Sequence, residues 1–296
     1  MQTLEGLSRK AARAGDLRSV VHTMKMLASV GVRQNERAAQ ALAEHGRALE
    51  LGFQALLRHC PEGFLAARPR RRQPVRPAAV ILGTDQGMCG AFNERVAERA
   101  AERLAVLANG AEVPVLAVGR RILEPLARPW LRIEAALPAP GSVAGVPATV
   151  QDLLLRIEAW RDADRFDALL VFHHRRGRGI SWKPEARHLL PVPAGWLRSL
   201  ARRPWPGPTL PAFTLEWDRL YSALVRELVF LSLFRALVES LESESAARLA
   251  ATDRAEKNVD ERIEALQAEL REARQTAITS ELMDVISGFE ALVGKA

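Results

Sequence analysis

Residues 216–293 read EWDRLYSALVRELVFLSLFRALVESLESESAARLAATDRAEKNVDERIEALQAELREARQTAITSELMDVISGFEALV. No proline interrupts this stretch, and Gly288 is its only glycine. Apolar residues recur in it at intervals of three and four, the period of one helical face: Leu220, Leu224, Leu228, Leu231, Val238, Leu241, Val259, Ile263, Leu266, Leu270, Ala273 and Ala277. At ~1.5 Å per residue, one helix of this length extends about 115 Å, roughly twice the width of a globular domain of this chain's size. We therefore expect a protruding helix whose apolar stripe another element covers, in a chain that works inside or alongside a partner.

A second helical stretch is predicted over residues 1–60. It contains no proline, and Pro61 ends it. Its apolar residues at helical spacing are Leu17, Val20, Met24, Leu27, Leu42, Leu49, Phe53 and Leu56. Gly31 is interpreted as a point of close approach to another backbone, because glycine has no Cβ. Since both long helices leave a stripe uncovered, we expect them to pair as an antiparallel coiled coil, irregular because strict heptads are not sustained.

The chain between the two helices changes character twice. Residues 61–77 hold four prolines and five arginines and are predicted to be a basic, Pro-rich linker. Strands are then predicted at 78–84, 113–118, 167–172 and 187–192. Helices are predicted at 92–108, 119–126 and 149–159, and a basic turn at 173–184. This alternation indicates an α/β class fold, with a small Rossmann-like sheet domain inserted between the long helices. The predicted segments are residues 1–60, 61–77, 78–211 and 212–296.

Composition limits the classes of protein further. The chain has 296 residues, a formal net charge of +7 and a pI of about 10.2, which favours contact with anionic partners. Cys60 and Cys89 are the only cysteines, so there is no disulfide framework and a reducing compartment is expected. No signal-peptide layout and no apolar run of membrane-spanning length is present. We therefore expect a soluble chain that reaches a membrane only through a partner.

The strongest candidate for chemistry is the turn 83–90, GTDQGMCG, between a strand and a helix. Its glycine spacing matches neither the dinucleotide fingerprint nor Walker A, so a tight structural turn is favoured over phosphate binding. Cys89 could be a nucleophile at a helix start, but no local signature ties it to a base, which favours a buried structural thiol. Glu242 and Glu244 are interpreted as solvated charges. The six histidines show no metal spacing; no cofactor, metal or catalytic constellation is predicted.

Several blocks resemble one family, the gamma subunit of the F-type rotary ATP synthase. They span almost the whole chain in the family's order: residues 23–27 (TMKML), 84–93 (TDQGMCGAFN), 240–248 (SLESESAAR), 274–282 (RQTAITSEL) and 286–288 (ISG). The chain departs from the main branch at His22, where the family has lysine, and at Gln86, where it has arginine. The sequences of residues 16–24 and of Asp85-Gln86-Gly87 are similar to those of the alternate, often sodium-linked branch of the family, the N-ATPases. The coupled ion, proton or sodium, stays open.

The resemblance implies a non-catalytic rotor. The paired helices would form a shaft inside the hexamer of alpha and beta subunits. The sheet domain would be a foot that docks with the epsilon subunit on the membrane c-ring. This implies a peripheral place at the cytoplasmic face of a bacterial inner membrane, without direct membrane insertion.

The resemblance also marks site residues. Positions that match contacts with the beta subunit are Met24, Lys25, Glu244, Arg248, Arg274, Gln275 and Thr279. Positions that match the family's foot-domain turn are Asp85, Gly87, Cys89 and Gly90. Among the first set, Arg274 is a cation among neutral polar groups and is expected to engage an acidic loop of the beta subunit.

Two other functions fit parts of the sequence. The high pI and the arginine-rich linker suit a basic coiled-coil protein that binds nucleic acid, with affinity that falls steeply with salt. Against this, residues 239–284 hold twelve acidic and six basic residues. An enzyme with a nucleotide in the α/β domain is the other alternative, and the glycine spacing disfavours it.

Overall fold

The computed structural model describes residues 4–65, 75–177, 181–209 and 211–293, with the side chains of all except 32–41, 43 and 288–293. Its helices are α1 (Leu4–Leu57), α2 (Phe92–Ala108), α3 (Val146–Asp162), α4 (Ala194–Arg202) and α5 (Trp217–Val293). Its strands are β1 (Pro77–Leu82), β2 (Val113–Val118), β3 (Leu131–Leu137), β4 (Ala168–Arg176) and β5 (Trp182–Leu190). Residues 66–74, most of the predicted linker, lie outside the described residues.

The five strands form one sheet in the order β3-β2-β1-β4-β5. The first four are mutually parallel, and β5 runs antiparallel to β4 at the edge. Every residue of the central strand β1, PAAVIL, is buried, as expected for a parallel strand covered on both faces. Val96, Ala100 and Leu104 of α2 cover one face.

The other face of the sheet is covered by α3 and by part of α5. Val150, Leu153 and Ile157 of α3 and Val229, Leu233 and Leu237 of α5 join one apolar cluster with alternate residues of the strands. The structure confirms the predicted class, an α/β sheet domain inserted between long terminal helices.

The chain separates into two compact units, and α1 and α5 each contribute to both. In the unit of residues 28–248, a Cβ on Gly52 would lie 3.3 Å from Leu224, and one on Gly46 would lie 3.6 Å from Leu231. The two helices therefore run antiparallel there, since the residue numbers of the contacts decrease along α1 while they increase along α5. Leu49, Phe53 and Leu57 of α1 also pack against Leu197 and Leu200 of α4.

The second unit consists of residues 1–27 and 249–296. Arg18 pairs with Asp260 at 2.5 Å and Lys25 with Asp253 at 2.7 Å, which is again an antiparallel register. Val21 is the most deeply buried apolar residue described in this unit, at 1% exposure.

Several sequence-based boundaries are wrong. Strand β3 was not predicted, because its sequence LRIEAAL is half exposed at the sheet edge and lacks a continuous apolar run. Residues 119–126 form turns rather than a helix. Most of the predicted basic turn at 173–184 belongs to strands: β4 extends through Arg176 and β5 begins at Trp182, earlier than the predicted 187. Residues 178–180 of that range lie outside the described residues. Helix α4 was also missed. The predicted division of the chain into four segments, 1–60, 61–77, 78–211 and 212–296, stays a prediction.

The expectation for Gly31 also needs correction. Its close neighbour is a side chain, because a Cβ placed there would lie 2.8 Å from Ser245 Oγ. Finally, no helix in the described ranges has a stretch long and apolar enough to cross a membrane.

Candidate functional site

The turn that follows β1 is closed by its own side chains. The Thr84 N–H donates to Asn93 Oδ1 at 3.0 Å, and Asn93 Nδ2 donates back to Thr84 Oγ1 at 3.0 Å. Both residues are buried, at 0% and 5% exposure. Gly90 has a φ of 62°, which a residue with a side chain rarely adopts. These bonds hold Asn93, in the first turn of α2, against the residue that follows Gly83 at the end of β1.

Asp85 ties the turn to the neighbouring strand ends. Its carboxylate accepts the Arg120 N–H at 2.8 Å and the Ala139 N–H at 3.0 Å. The same junction requires a glycine at position 119, where φ is 95° and a Cβ would lie 2.6 Å from the Thr84 nitrogen. The family-motif aspartate therefore joins the loops after β1, β2 and β3.

Cys89 is buried beside α5. It is 3% exposed and packs with Phe92 and Ala247, with Trp182 at the edge of the cluster. Burial raises the pKa of its thiol, and the contact with Thr84 opposes that shift only in part. A thiol with a raised pKa is a poor nucleophile at neutral pH, so the structure favours the structural role.

A cleft of ≈ 630 Å³ is lined in part by this turn. The charged residues of its lining are of both signs: Arg120, Arg121, Glu94 and Glu124. Within the described ranges, no group of three or more His, Cys, Asp or Glu is placed to hold a metal ion.

Arg248 and Glu244 connect α5 to the turn. Arg248 Nη2 donates to Glu244 Oε1 at 2.5 Å, and Arg248 Nε donates to the Gly87 carbonyl at 3.3 Å. The two side chains are 13% and 12% exposed. Burial raises the pKa of the Glu244 carboxyl, and the Arg248 charge counteracts the shift. These two candidate residues and the turn 85–90 thus lie in contact at one site.

Lys25 lies in a partly exposed cluster of ion pairs within the chain. Its Nζ donates to Asp253 Oδ1 at 2.7 Å and to Glu256 Oε2 at 2.8 Å, and those hydrogen bonds raise the pKa of the lysine. His22 Nδ1 lies 2.8 Å from Glu256 Oε1. Met24, next to Lys25, is half-buried. The structure therefore gives Lys25 partners within its own chain.

Arg274, Gln275 and Thr279 are exposed. Thr279 Oγ1 donates to the Gln275 carbonyl at 2.8 Å, the usual bond of a threonine to its own helix. The described residues include no hydrogen-bond or ion-pair partner for Arg274. Large apolar side chains in the same stretch are exposed as well: Ile278, Leu282, Met283, Val285 and Ile286.

Sequence reasoning missed a second set of buried charges on α5. Glu242, interpreted as solvated, pairs with Arg176 at 2.9 Å and is 14% exposed at its side chain. Glu244 is likewise buried, so that interpretation is wrong for both. Glu239 pairs with Arg187 at 2.9 Å. The available signal was the i, i+3 spacing of Glu239 and Glu242, which places both on one helical face.

His173 and His174, at the start of the predicted basic turn, are instead fully buried on β4. Burial and the nearby Arg187 guanidinium lower the pKa of His173 to about 3, and burial lowers the pKa of His174 to about 3. His174 Nε2 donates to the Phe92 carbonyl at 2.9 Å. Neither ring nitrogen of His173 has a hydrogen-bond partner among the described residues, although Nε2 lies 3.3 Å from Glu239.

Comparison with known proteins gives one consistent answer. A family model described as ATP synthase matches residues 3–292. The ATP synthase gamma chain of Sorangium cellulosum is 31% identical, over 97% of this chain and 90% of that one.

Solved structures agree on the fold. A chain of the Euglena gracilis mitochondrial ATP synthase (OSCP/F1/c-ring, rotational state 3) has a TM-score of 0.66 at 16% identity, covering 99% of this chain and 96% of that one. A chain of the Tetrahymena thermophila mitochondrial ATP synthase (central stalk/c-ring) has a TM-score of 0.56 at 20% identity, covering 80% and 99%. The protein belongs to the ATP synthase gamma chain family. Neither alternative function is supported, and the assignment to the N-ATPase branch stays a prediction.

Proposed function

We propose that the chain is the central-stalk rotor subunit of an ATP synthase. It couples ion flow through a membrane c-ring to ATP synthesis or hydrolysis at a hexamer of alpha and beta subunits. The observation that carries this proposal is family membership over residues 3–292, which include both long helices as well as the sheet domain. The fold shared with a protein described as central stalk/c-ring supports it.

In this proposal the chain does no bond chemistry. The turn after β1 is closed by Thr84 and Asn93, and the Cys89 thiol has a raised pKa. The subunit acts instead by differential contact. As the asymmetric shaft turns, each beta subunit meets a different surface, and a partner's conformational equilibrium shifts by its difference in affinity for the two states.

The proposed contacts with the beta subunit fall into three groups. Arg274, Gln275 and Thr279 are exposed and form the proposed docking face for an acidic loop of beta. Met24 is half-buried, and Lys25, already held by its own chain, contributes mainly by positioning α1 against α5. Glu244 and Arg248 are buried at the turn and tune coupling from there.

The sheet domain is the proposed foot, docked with epsilon on the c-ring. This places the chain peripherally at the cytoplasmic face of a bacterial inner membrane, held there by the complex. The coupled ion is proton or sodium. From the tripeptide Asp85-Gln86-Gly87, we propose that the chain belongs to the alternate N-ATPase branch of the family.

Reconstitution tests the proposal. We expect the purified chain, mixed with the matching alpha and beta subunits, to form a complex that hydrolyses ATP faster than alpha and beta alone. Size-exclusion chromatography with light scattering measures assembly, and phosphate release measures activity. If the chain elutes alone at micromolar concentrations, the shaft role is wrong. Tight binding of ATP by the isolated chain would instead favour the enzyme alternative.

A further inference from the structure

Two guanidinium–carboxylate pairs join α5 to the β4–β5 hairpin. Arg187 Nη2 on β5 donates to both oxygens of Glu239, at 3.2 and 2.9 Å. Arg176 Nη1 at the end of β4 donates to Glu242 Oε1 at 2.9 Å. All four side chains are a quarter exposed or less, and the two carboxylates are 11% and 14% exposed. These pairs are therefore largely shielded from solvent and from salt.

The surroundings hold these charges in fixed positions. Arg187 Nε also donates to Glu185 Oε1 at 2.9 Å, so its guanidinium is held from two sides. Glu239 receives a further contact from Arg235 at 2.9 Å, within α5 itself. The ring of His173, fully buried, lies 3.3 Å from Glu239 on the sheet side. Glu239 is thus held in place by contacts both from its own helix and from the sheet.

Next to these pairs, α5 contributes a run of buried apolar residues. Val229, Leu233, Ala236, Leu237 and Val238 pack on the strands without polar contacts of their own side chains. Apolar burial is not directional, so it holds two surfaces together more strongly than it fixes their rotation. A guanidinium–carboxylate pair has a narrow geometry, and breaking a buried one leaves a charge without its partner.

We propose that Arg187 and Arg176 are positioning residues that lock the rotational setting of α5 against the sheet domain. Through Glu239 and Glu242, they allow torque to pass between the proposed foot and α5 without slip. This inference rests on the proposed rotor function. It assigns the lock to the hairpin pairs, whereas Arg248 holds the turn after β1.

The test uses the complete ATP synthase in sealed vesicles, with ATP hydrolysis and ATP-driven ion pumping measured on the same preparation. In the double variant Arg187→Met and Arg176→Met, we expect hydrolysis to stay within about twofold of the unchanged protein and pumping to fall about tenfold. Methionine keeps the apolar length of each side chain. A purely structural role would lower both activities together through loss of assembled complex.

Arg235→Met is the matched control. It removes a guanidinium from the same carboxylate, Glu239, but from within α5, so the ratio of pumping to hydrolysis should not change. Arg176→Lys, which keeps the charge, should retain at least half of the pumping. If the double variant assembles poorly, the single Arg176→Met variant is compared with Arg235→Met in the same way.

The outcomes separate this inference from the proposed function. The lock is wrong if the double variant pumps normally, or if pumping and hydrolysis fall in proportion. It is also wrong if Arg235→Met uncouples as strongly as the double variant. If the unchanged chain supports neither assembly nor pumping, the proposed rotor function itself fails.

Discussion

Two sections of α5 differ in what surrounds them, although they belong to one helix. In residues 229–248, apolar side chains such as Leu233 and Val238 are completely buried, and the charged Arg248 is 13% exposed. In residues 274–287, every residue is exposed, including Ile278 and Leu282 at 60% and 56%. The apolar period continues through both. The period therefore indicates a surface to be covered, while the covering element is the chain itself in one section and a proposed partner in the other.

Arg248 and Arg274 show the difference at the level of one charge. Arg248 has Glu244 and the Gly87 carbonyl as acceptors inside the folded chain. Arg274 has no acceptor among the described residues. We therefore expect substitutions in residues 229–248 to change the stability of the chain, and substitutions in residues 274–287 to change assembly.

The largest effect is expected for Arg248→Met. It leaves the buried Glu244 carboxylate without its partner, and removing one member of a buried pair typically costs about 3–5 kcal/mol of stability. Urea unfolding followed by tryptophan fluorescence measures the change. The double variant Arg248→Met with Glu244→Gln should recover part of the loss, because the unpaired charge is then gone. A loss below about 1 kcal/mol for the single variant would mean that the site is effectively solvated.

The pH dependence of stability comes next in size. The pKa values of His173 and His174 are lowered from 6.5 to about 3 in the folded chain. The unfolded chain therefore binds more protons in that interval, so stability is fully present above pH 6.5 and is lost as pH falls towards 3. Each histidine should remove about 2 kcal/mol between pH 7 and pH 5.

Urea midpoints at pH 7 and pH 5 measure this loss. His174→Phe keeps an aromatic ring against Phe92 and Trp182 and should remove about half of the pH sensitivity. Equal pH sensitivity in the two proteins would contradict the assignment to the buried histidines.

The smallest effect on stability is expected for Arg274→Ala. Its side chain is exposed, so the free energy of unfolding should change by less than about 0.5 kcal/mol. The affinity for the alpha/beta hexamer should fall about tenfold, because a charge-assisted hydrogen bond is lost. Arg271→Ala, an exposed arginine one turn earlier, is the control and should bind normally. Unchanged affinity and rotation in Arg274→Ala would remove Arg274 from the docking face.

Much of the architecture was predictable because its signals are local. The 3.6-residue period identified α1 and α5, and the run AAVIL with its polar turn identified β1 and the start of α2. Edge elements were less predictable. Strand β3 is half exposed, and β5 carries charged residues such as Lys183 and Arg187 that pair across the fold. Their pattern is set by contacts with distant residues, so a local window does not contain it.

The candidate site divides in the same way. The resemblance located Arg248, Glu244 and the turn 85–90 separately, but not the hydrogen bond from Arg248 to Gly87. Cys89 was expected to be buried, and it is. Glu242 was taken for a solvated charge, because nothing in residues near it in sequence indicates that Arg176 lies opposite.

By itself, the sequence determined which helical faces are apolar, where three of the four parallel strands begin and which family the chain resembles, since each depends on residues close together in the chain or on the order of short motifs. Only the tertiary structure decided which element covers each face and which charges are paired. Glu239 pairs with Arg187, which is 52 residues away in the sequence. Gly31 of α1 lies next to Ser245 of α5. Such pairings depend on how the fold brings together residues that are far apart in the sequence. The local periodicity of the sequence does not show which of these residues meet.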